Sequence, residues 1–270
     1  MKSMEFSGRW VLVTGASSGL GAEMARQFVR EHGANVILVA RREDRLKELQ
    51  AELSQFGRVE YVVGDLGQEG VADRVVAEAE KIGPLYAAVL NAGITHFGHH
   101  DELPWEEFRK MLDLNVVATT RLITLLLPLL EGRKQNGGIL LVASLAGLTP
   151  VSYQAAYSGT KAFLVNYGCS LHHEMEPRGV TVTVFAPGGI ATEMTAGERF
   201  NDLRGWLVPV GPCAREAIWG LKRRRYLTIP GIVYGWGARF TRLLPQSVLV
   251  GRVAAQYRHS LFKNTKPKQG

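Results

Sequence analysis

Cysteine is almost missing: Cys169 and Cys213 are the only two in 270 residues. Two thiols give no disulfide framework, and the count fits a reducing, cytoplasmic compartment. Cys169 reads best as a small buried core residue. Also missing are a Cys-x-x-Cys pair and a His-Glu-x-x-His run, the usual marks of a zinc site. The doublets His99-His100 and His172-His173 are poor chelators, because neighbouring side chains on a helix or strand point apart. His96 and His100 have chelating spacing, but their segment follows a strand and holds Gly98, so it reads as loop. No catalytic metal is expected. Long apolar runs are scarce: Leu122–Leu130 is about half the length needed to cross a bilayer and contains Pro128, so it reads as a buried helix. Met1–Gly8 is not apolar, and no secretory leader is expected. There is no repeat of solenoid period and no Pro- or Gly-rich linker. Residues 1–230 are therefore expected to form a single domain.

Acidic residues are scarce in one region only. Residues 1–200 carry 19 Lys and Arg against 23 Asp and Glu, whereas residues 201–270 carry 13 against 2. The overall charge is +7. A basic quarter on a mildly acidic body needs a local explanation.

What is present is a repeated alternation of short apolar runs and helical patterns. Strands are predicted at Trp10–Thr14, Val36–Ala40, Val59–Val63, Tyr86–Asn91, Ile139–Ser144, Thr181–Ala186 and Tyr226–Ile229. Helical spacing is clear at Glu43–Ser54 and Val71–Ile82. The strands are nearly all apolar, as expected when helices cover both faces of a parallel sheet. Repeated βα units give a doubly wound α/β fold.

Gly15, Gly19 and Gly21 sit between the first strand and the first helix. Glycines there let the backbone approach a pyrophosphate, and the helix N-terminus offers free N–H groups. A cofactor loop would thus run through Gly15, Ser17, Ser18, Gly19, Leu20 and Gly21. The competing reading is a tight βα turn. The second strand ends in Arg41-Arg42, where an acid would bind a ribose 2′-hydroxyl. Two guanidiniums suit a 2′-phosphate instead, with Ser17 and Ser18 as added donors. This favours NADP(H), with NAD(H) still open. In the other reading the arginines are solvated and Glu43 or Asp44 turns in to the ribose; the first helical turn is the better place for those acids. Asp65 and Leu66 would meet the adenine, and Asn91-Ala92-Gly93 ends the fourth strand at the sheet's carboxyl edge.

Tyr157 precedes Lys161 by four residues, which puts both on one helix face. There an ammonium would stabilise a phenolate and lower the tyrosine pKa. Ser144, thirteen residues before Tyr157, ends an apolar run and would hold a carbonyl oxygen beside it. Each residue also has a plain structural reading. Asn115 would be a helix-interior amide bonded to nearby backbone, Ser144 a cap, and Tyr157 with Lys161 an amphipathic pair.

These pieces together, over about Arg9–Ile229, resemble the short-chain dehydrogenase/reductase family in its shorter branch, with its Thr-Gly-x-x-x-Gly-x-Gly and Tyr-x-x-x-Lys motifs. The resemblance rests on Thr14–Gly21, Asp65, Asn91-Ala92-Gly93, Asn115, Ser144, Tyr157, Lys161 and Pro187-Gly188. It implies a Rossmann-type sheet of about seven parallel strands in a homodimer or homotetramer. It implies that Tyr157 is the general acid or base, that Lys161 lowers its pKa and binds the nicotinamide ribose, and that Ser144 orients the carbonyl. By the same resemblance Asn115 holds a relay water, and Pro187, Gly188, Ile190 and Thr192 line the nicotinamide. The alternative is a non-catalytic NADP(H)-binding interaction protein on the same fold. Sugar-nucleotide epimerases share Tyr-x-x-x-Lys but differ in glycine spacing and length.

Substrate contacts are expected from Leu145, Tyr153 and Met194, in mostly apolar surroundings that include Leu148, Val151, Phe200, Trp206 and Leu207. A hydrophobic ketone, aldehyde or 3-oxoacyl, lipid or steroid-like carbonyl fits them. Residues 231–270 read as a basic amphipathic extension on the same domain, with residues 264–270 a frayed tail. It would cover the pocket or a subunit interface, lie on an anionic membrane surface, or meet an acidic partner such as an acyl-carrier protein. Nucleic acid is not expected, since no recognition motif accompanies the charge.

Overall fold

Seven parallel strands form one sheet in the computed structural model, which describes residues 2–195, 207–231, 250–251 and 254–255. They are β1 (Trp10–Thr14), β2 (Asn35–Ala40), β3 (Val59–Val63), β4 (Leu85–Leu90), β5 (Gly138–Val142), β6 (Thr181–Phe185) and β7 (Leu227–Thr228). All seven expected strands are present, with ends shifted by no more than two residues. The helices are α1 (Gly19–His32), α2 (Glu43–Leu53), α3 (Val71–Ile82), α4 (Trp105–Leu112), α5 (Thr119–Gly132), α6 (Ala155–Met175) and α7 (Val210–Lys222).

Strand alternation divides the core in two. Val11 and Val13 of β1 face α1, α2 and α7, where they meet Phe28, Leu46 and Ile218. Leu12 faces the other way, with Val75 of α3, Leu122 of α5 and Leu164 of α6. Because successive side chains point to opposite faces, an unbroken apolar strand feeds both cores. Each fully buried large aliphatic side chain contributes about 1.5–3 kcal/mol. The half-buried Cys169 packs against the second core, while Cys213 is the fully buried thiol.

Strand order across the sheet is β3-β2-β1-β4-β5-β6-β7. Winding reverses between β1 and β4, so a crevice opens beyond their carboxyl ends. The glycine turn leaves β1 at that point, and Asn91-Ala92-Gly93 leaves β4 beside it.

One helix departs from the expected pattern. α4 runs into α5 through a π-helical segment, Asp113–Ala118, making one continuous helix of 28 residues, Trp105–Gly132. By length and composition it is long and apolar enough to cross a membrane, which the short run Leu122–Leu130 alone does not suggest. Its Leu122, Ile123, Leu126 and Leu130 are buried against the sheet, as expected of that run. Phe200, Trp206, residues 264–270 and nearly all of the 231–270 extension lie outside the described residues.

Candidate active site

The glycine turn is shaped by what it cannot hold. Gly15 (φ +66) and Gly19 (φ +55) are in the left-handed region, which β-carbons disfavour. A Cβ on Gly21 would fall 2.3 Å from the Gly15 carbonyl oxygen and 2.6 Å from Asn91 Nδ2. That absence of side chain lets α1 start directly against the end of β1. Ser18 precedes α1 with extended backbone and no capping bond from its own side chain, and the first turn carries no acid. The N–H groups there keep their affinity for an anion. Leu20 is buried in the first core and anchors the turn from below.

Thr14 ties the turn to β4. Its Oγ1 accepts from the Asn91 and Ala92 N–H groups at 3.0 and 3.1 Å and donates to the Val89 carbonyl at 3.3 Å. Asn91 Nδ2 returns a bond to the Thr14 carbonyl at 3.1 Å. Asp65 is held by the Gly67 N–H at 3.1 Å and lies 3.8 Å from Arg41 Nη1. The neighbouring Leu66 is buried in the second core.

The two arginines after β2 diverge. Arg41 turns to Asp65, whereas Arg42 turns to Ser17, with Nε and Nη2 at 3.3 and 3.2 Å from its Oγ. Glu43 and Asp44 occupy the first turn of α2, as expected. Glu43 pairs with Lys47 at 2.9 Å. Arg42 Nη2 also meets the Glu193 carboxylate at 3.0 Å, a contact 151 residues apart in sequence that the sequence did not signal.

Asn115 sits in the π segment and is fully buried. Wider winding swings one residue off the regular face, a common device at functional sites. Its Oδ1 accepts from the Ile94 N–H at 2.9 Å, and its Nδ2 donates to the Ile94 carbonyl at 2.9 Å and to Thr160 Oγ1 at 3.1 Å. Thr160 in turn donates to the Tyr157 carbonyl at 2.8 Å. Thr14 opens the glycine motif already read from the sequence, whereas the one signal for Thr160 is a polar residue inside a buried stretch of α6.

Ser144 ends the approach from β5. Its Oγ accepts from the Ala146 N–H at 3.1 Å and reaches the Pro187 carbonyl at 3.5 Å, a carbonyl that also takes the Leu145 N–H at 2.8 Å. Pro187 and Gly188 thus lie beside Ser144. Tyr157 is half-buried on α6, and Lys161, one turn on, is almost wholly buried. Lys161 Nζ donates to the Val142 carbonyl at 2.9 Å and stands 5.7 Å from the Tyr157 ring centre. Gly93 faces Asn115 and Lys161: a Cβ there would lie 3.1 Å from Asn115 Oδ1 and 3.6 Å from Lys161 Nζ.

The electrostatics correct one expectation. Burial pushes the Tyr157 phenol above its ordinary 10, and contact with the Ser144 hydroxyl only partly offsets this. Burial lowers the Lys161 ammonium from 10.5 to about 8. The ammonium is spent on Val142 rather than on a phenolate, and burial shifts each group toward its neutral form relative to water. What converges is a phenol and a serine hydroxyl in a half-buried corner, able to donate a proton to a substrate oxygen or take one from it.

Ile190 bridges to Val208 in parallel fashion, and Thr192 packs over Gly19, 3.1 Å from a β-carbon built there. The side chain of Met194 lies outside the described residues. Tyr153 holds φ +64 and stacks edge-on against His99, 5.1 Å between ring centres. With His96, His100, Leu103 and Gln154 it lines a cleft of about 220 Å³ beside the start of α6. The histidines there lie on loop and a single 3₁₀ turn, as expected. The His172-His173 doublet does converge with Glu176, their ligand atoms lying within 4.8 Å of one another. The two imidazole rings meet edge-on at 5.0 Å. The group is about 22 Å along α6 from Tyr157, far from the crevice.

Comparison with known proteins agrees with this fold. A model of the short chain dehydrogenase family matches residues 9–202. An uncharacterized oxidoreductase of Myxococcus xanthus is 37% identical over 198 residues, covering 73% of this chain and 78% of that protein. The hydroxysteroid 11-beta-dehydrogenase 1-like protein of Gallus gallus is 32% identical over 241 residues, covering 86% and 80%. The structure of a short-chain dehydrogenase from Sphingobium yanoikuyae in complex with NADPH superposes with a TM-score of 0.79 at 27% identity, covering 97% of this chain and 98% of that one. A seven-stranded parallel sheet, a glycine turn at its switch point and a matching family model over most of the chain lead to one assignment: the protein is an oxidoreductase belonging to the short-chain dehydrogenase family.

Proposed function

We propose that the protein is an NADP(H)-dependent oxidoreductase that interconverts a hydrophobic carbonyl compound and its alcohol, with Tyr157 as general acid and base. The observation that carries this reading is the convergence of Ser144, Tyr157 and Lys161 beside Gly93 at the sheet's switch point. The glycine turn fits a dinucleotide: a cradle that a β-carbon would fill, an uncapped helix start, and an arginine and a serine hydroxyl set to hold an anion. A nicotinamide cofactor held there would supply hydride in reduction and accept it in oxidation.

This chain's own residues do the rest. Gly15, Gly19 and Gly21 admit the pyrophosphate, and Arg42 with Ser17 selects a 2′-phosphate, with Arg41 and Asp65 at the adenosine edge. NAD(H) remains a second cofactor that the same turn would accept. Ser144 holds the substrate oxygen by hydrogen bond. Tyr157 gives that oxygen its proton in reduction and takes it back in oxidation. Lys161, held near a pKa of 8 by its burial, sits poised to pass a proton on. Asn115 fixes the floor through Ile94 and Thr160. Leu145, Leu148 and Val151 make the surroundings apolar, and the steroid-dehydrogenase-like relative points to a lipid-like carbonyl. Exposed apolar side chains on the long helix and α6, Trp105, Val117 and Phe163, offer a face for a second copy. The basic C-terminal segment would meet an anionic surface or carrier. Its test is salt-dependent vesicle binding by the full chain against a chain ending at residue 229.

The test of the chemistry is NADPH and NADH oxidation against carbonyls graded from small diketones to long 3-oxoacyl esters and ketosteroids, with Tyr157→Phe alongside. Turnover that Tyr157→Phe removes while NADPH binding persists supports the reading. Undiminished turnover in Tyr157→Phe, or tight NADPH binding with no turnover on any of these substrates, overturns it in favour of another proton donor or a binding role.

A further inference from the structure

We infer that Glu193 is a cofactor-discriminating residue: its carboxylate occupies the anion position on Arg42 that the 2′-phosphate of NADP(H) must take. The inference rests on the proposed NADP(H) reading and adds a residue that opposes it.

The position is built from several directions. Arg42 Nη2 reaches the Glu193 carboxylate at 3.0 Å and Ser17 Oγ at 3.2 Å. The Ser18 hydroxyl also bonds Glu193, and the Arg45 guanidinium adds its charge. A guanidinium flanked by two serine hydroxyls at a helix start is an anion site, and the chain fills it with its own anion. The segment carrying Glu193 is seated on the turn as well, since the preceding Thr192 packs against Gly19. Glu193 therefore lies where the adenosine side of a dinucleotide would enter.

The two cofactors differ in what they ask of this contact. A 2′-phosphate carries nearly two negative charges at neutral pH and cannot share Arg42 with a carboxylate without strong repulsion. NADP(H) must displace Glu193 before Arg42 can bind the phosphate. The neutral 2′-hydroxyl of NAD(H) leaves the Arg42–Glu193 pair in place and is able to donate a hydrogen bond to it. Glu193 thus narrows the preference that Arg42 creates, and it does so by competing for Arg42 rather than by touching the reacting atoms. The pair is partly exposed, with side chains 43% and 60% accessible, so the effect is modest.

The experiment is calorimetric titration of the purified full chain with NADPH and with NADH, for wild type, Glu193→Gln, Arg42→Ala and the double variant. Glutamine keeps the shape and removes the charge on an exposed side chain, so folding is preserved, and thermal melts without cofactor verify it. Glu193→Gln is expected to tighten NADPH by up to about fivefold and to leave NADH unchanged or slightly weaker. In the Arg42→Ala background the same change is expected to do nothing, because the group it competes for is gone. An unchanged NADPH affinity in Glu193→Gln, or equal shifts for both cofactors, overturns the role of Glu193. Arg42→Ala separates this from the parent reading. At least about tenfold weaker NADPH binding with intact NADH binding upholds Arg42 as the 2′-phosphate residue, whatever Glu193 does. No loss of NADPH affinity removes the parent reading and this one together.

Discussion

Replacing Lys161 with methionine should change how stability depends on pH, by an amount the structure sets. The side chain is 5% exposed, and burial lowers its pKa from 10.5 to about 8. A fall of that size corresponds to about 3 kcal/mol of penalty on the charged form. Below pH 8 both folded and unfolded chains hold the proton, and the fold bears the whole penalty. Between pH 8 and 10.5 the folded chain has released the proton while the unfolded chain keeps it. The unfolded state then binds more protons, so stability rises with pH through this window. Lys161→Met lacks the group and lacks the rise. At pH 7 the variant gains by losing a buried charge and forfeits the bond to Val142, and these two effects oppose each other. The pH slope is free of that offset. The unfolding free energy of wild type minus variant should climb by about 3 kcal/mol from pH 7 to 10.5. Urea titrations followed by tryptophan fluorescence at pH 7, 8, 9 and 10 would measure it. Ionisable groups distant from Lys161 are common to both proteins and cancel, and making the comparison in a Tyr157→Phe background removes the neighbouring phenol. Parallel profiles, or a difference that shrinks as pH rises, would refute the burial of a strained ammonium at this site.

Two further outcomes follow from contacts in the crevice. Gly21→Ala places a carbon 2.3 Å from the Gly15 carbonyl oxygen, a fixed backbone atom. It should cost about 1–3 kcal/mol and weaken NADPH binding as the turn opens, read by thermal melts and titration. Asn115→Ala strips the Ile94 N–H and carbonyl and the Thr160 hydroxyl of a buried partner. Unmet backbone groups should cost about 2–4 kcal/mol, seen as a fall in Tm of several degrees, and a loss below 1 kcal/mol would contradict the bonding described.

The sheet was legible because its strands are buried on both faces. Val36–Ala40 and Ile139–Val142 read as unbroken apolar runs, a pattern that a surface strand does not give. The site was legible wherever a local rule forces position. Tyr157 and Lys161 share a helix face by spacing, and Gly15 and Gly21 mark a turn that β-carbons would block. Illegible features depend on where a flexible group goes once the chain is folded. Spacing put Lys161 near Tyr157 but could not show that its ammonium reaches Val142, and so the direction of the Tyr157 shift was misjudged. The π winding at Asp113–Ala118 has no residue code, and it joins two helices into one longer than the apolar run suggests. Glu193 meets Arg42 across 151 positions, beyond any periodicity.

A matched pair of substitutions tests whether the crevice is held by satisfied polar groups rather than by apolar packing alone. Thr14 and Thr183 are both buried threonines on strands of the same sheet, 1% and 0% exposed. Thr14 Oγ1 accepts the Asn91 and Ala92 N–H groups and so fixes the start of the segment that leads to Gly93 and Ile94. Asn115 grips the far end of that segment at Ile94. Thr183 Oγ1, by contrast, is buried without a partner among the described residues. Valine replaces the hydroxyl with a methyl of similar size in each case, so packing changes little and hydrogen bonding decides the sign. Thr14→Val leaves two backbone donors unmet and should cost about 2–5 kcal/mol. Thr183→Val removes an unpaired buried hydroxyl and should be neutral or stabilising by up to about 1–3 kcal/mol. Urea unfolding of the two variants gives the comparison directly. Equal losses would mean that the methyl, not the hydroxyl, governs both sites, and the polar staple at the switch point would then have no energetic basis.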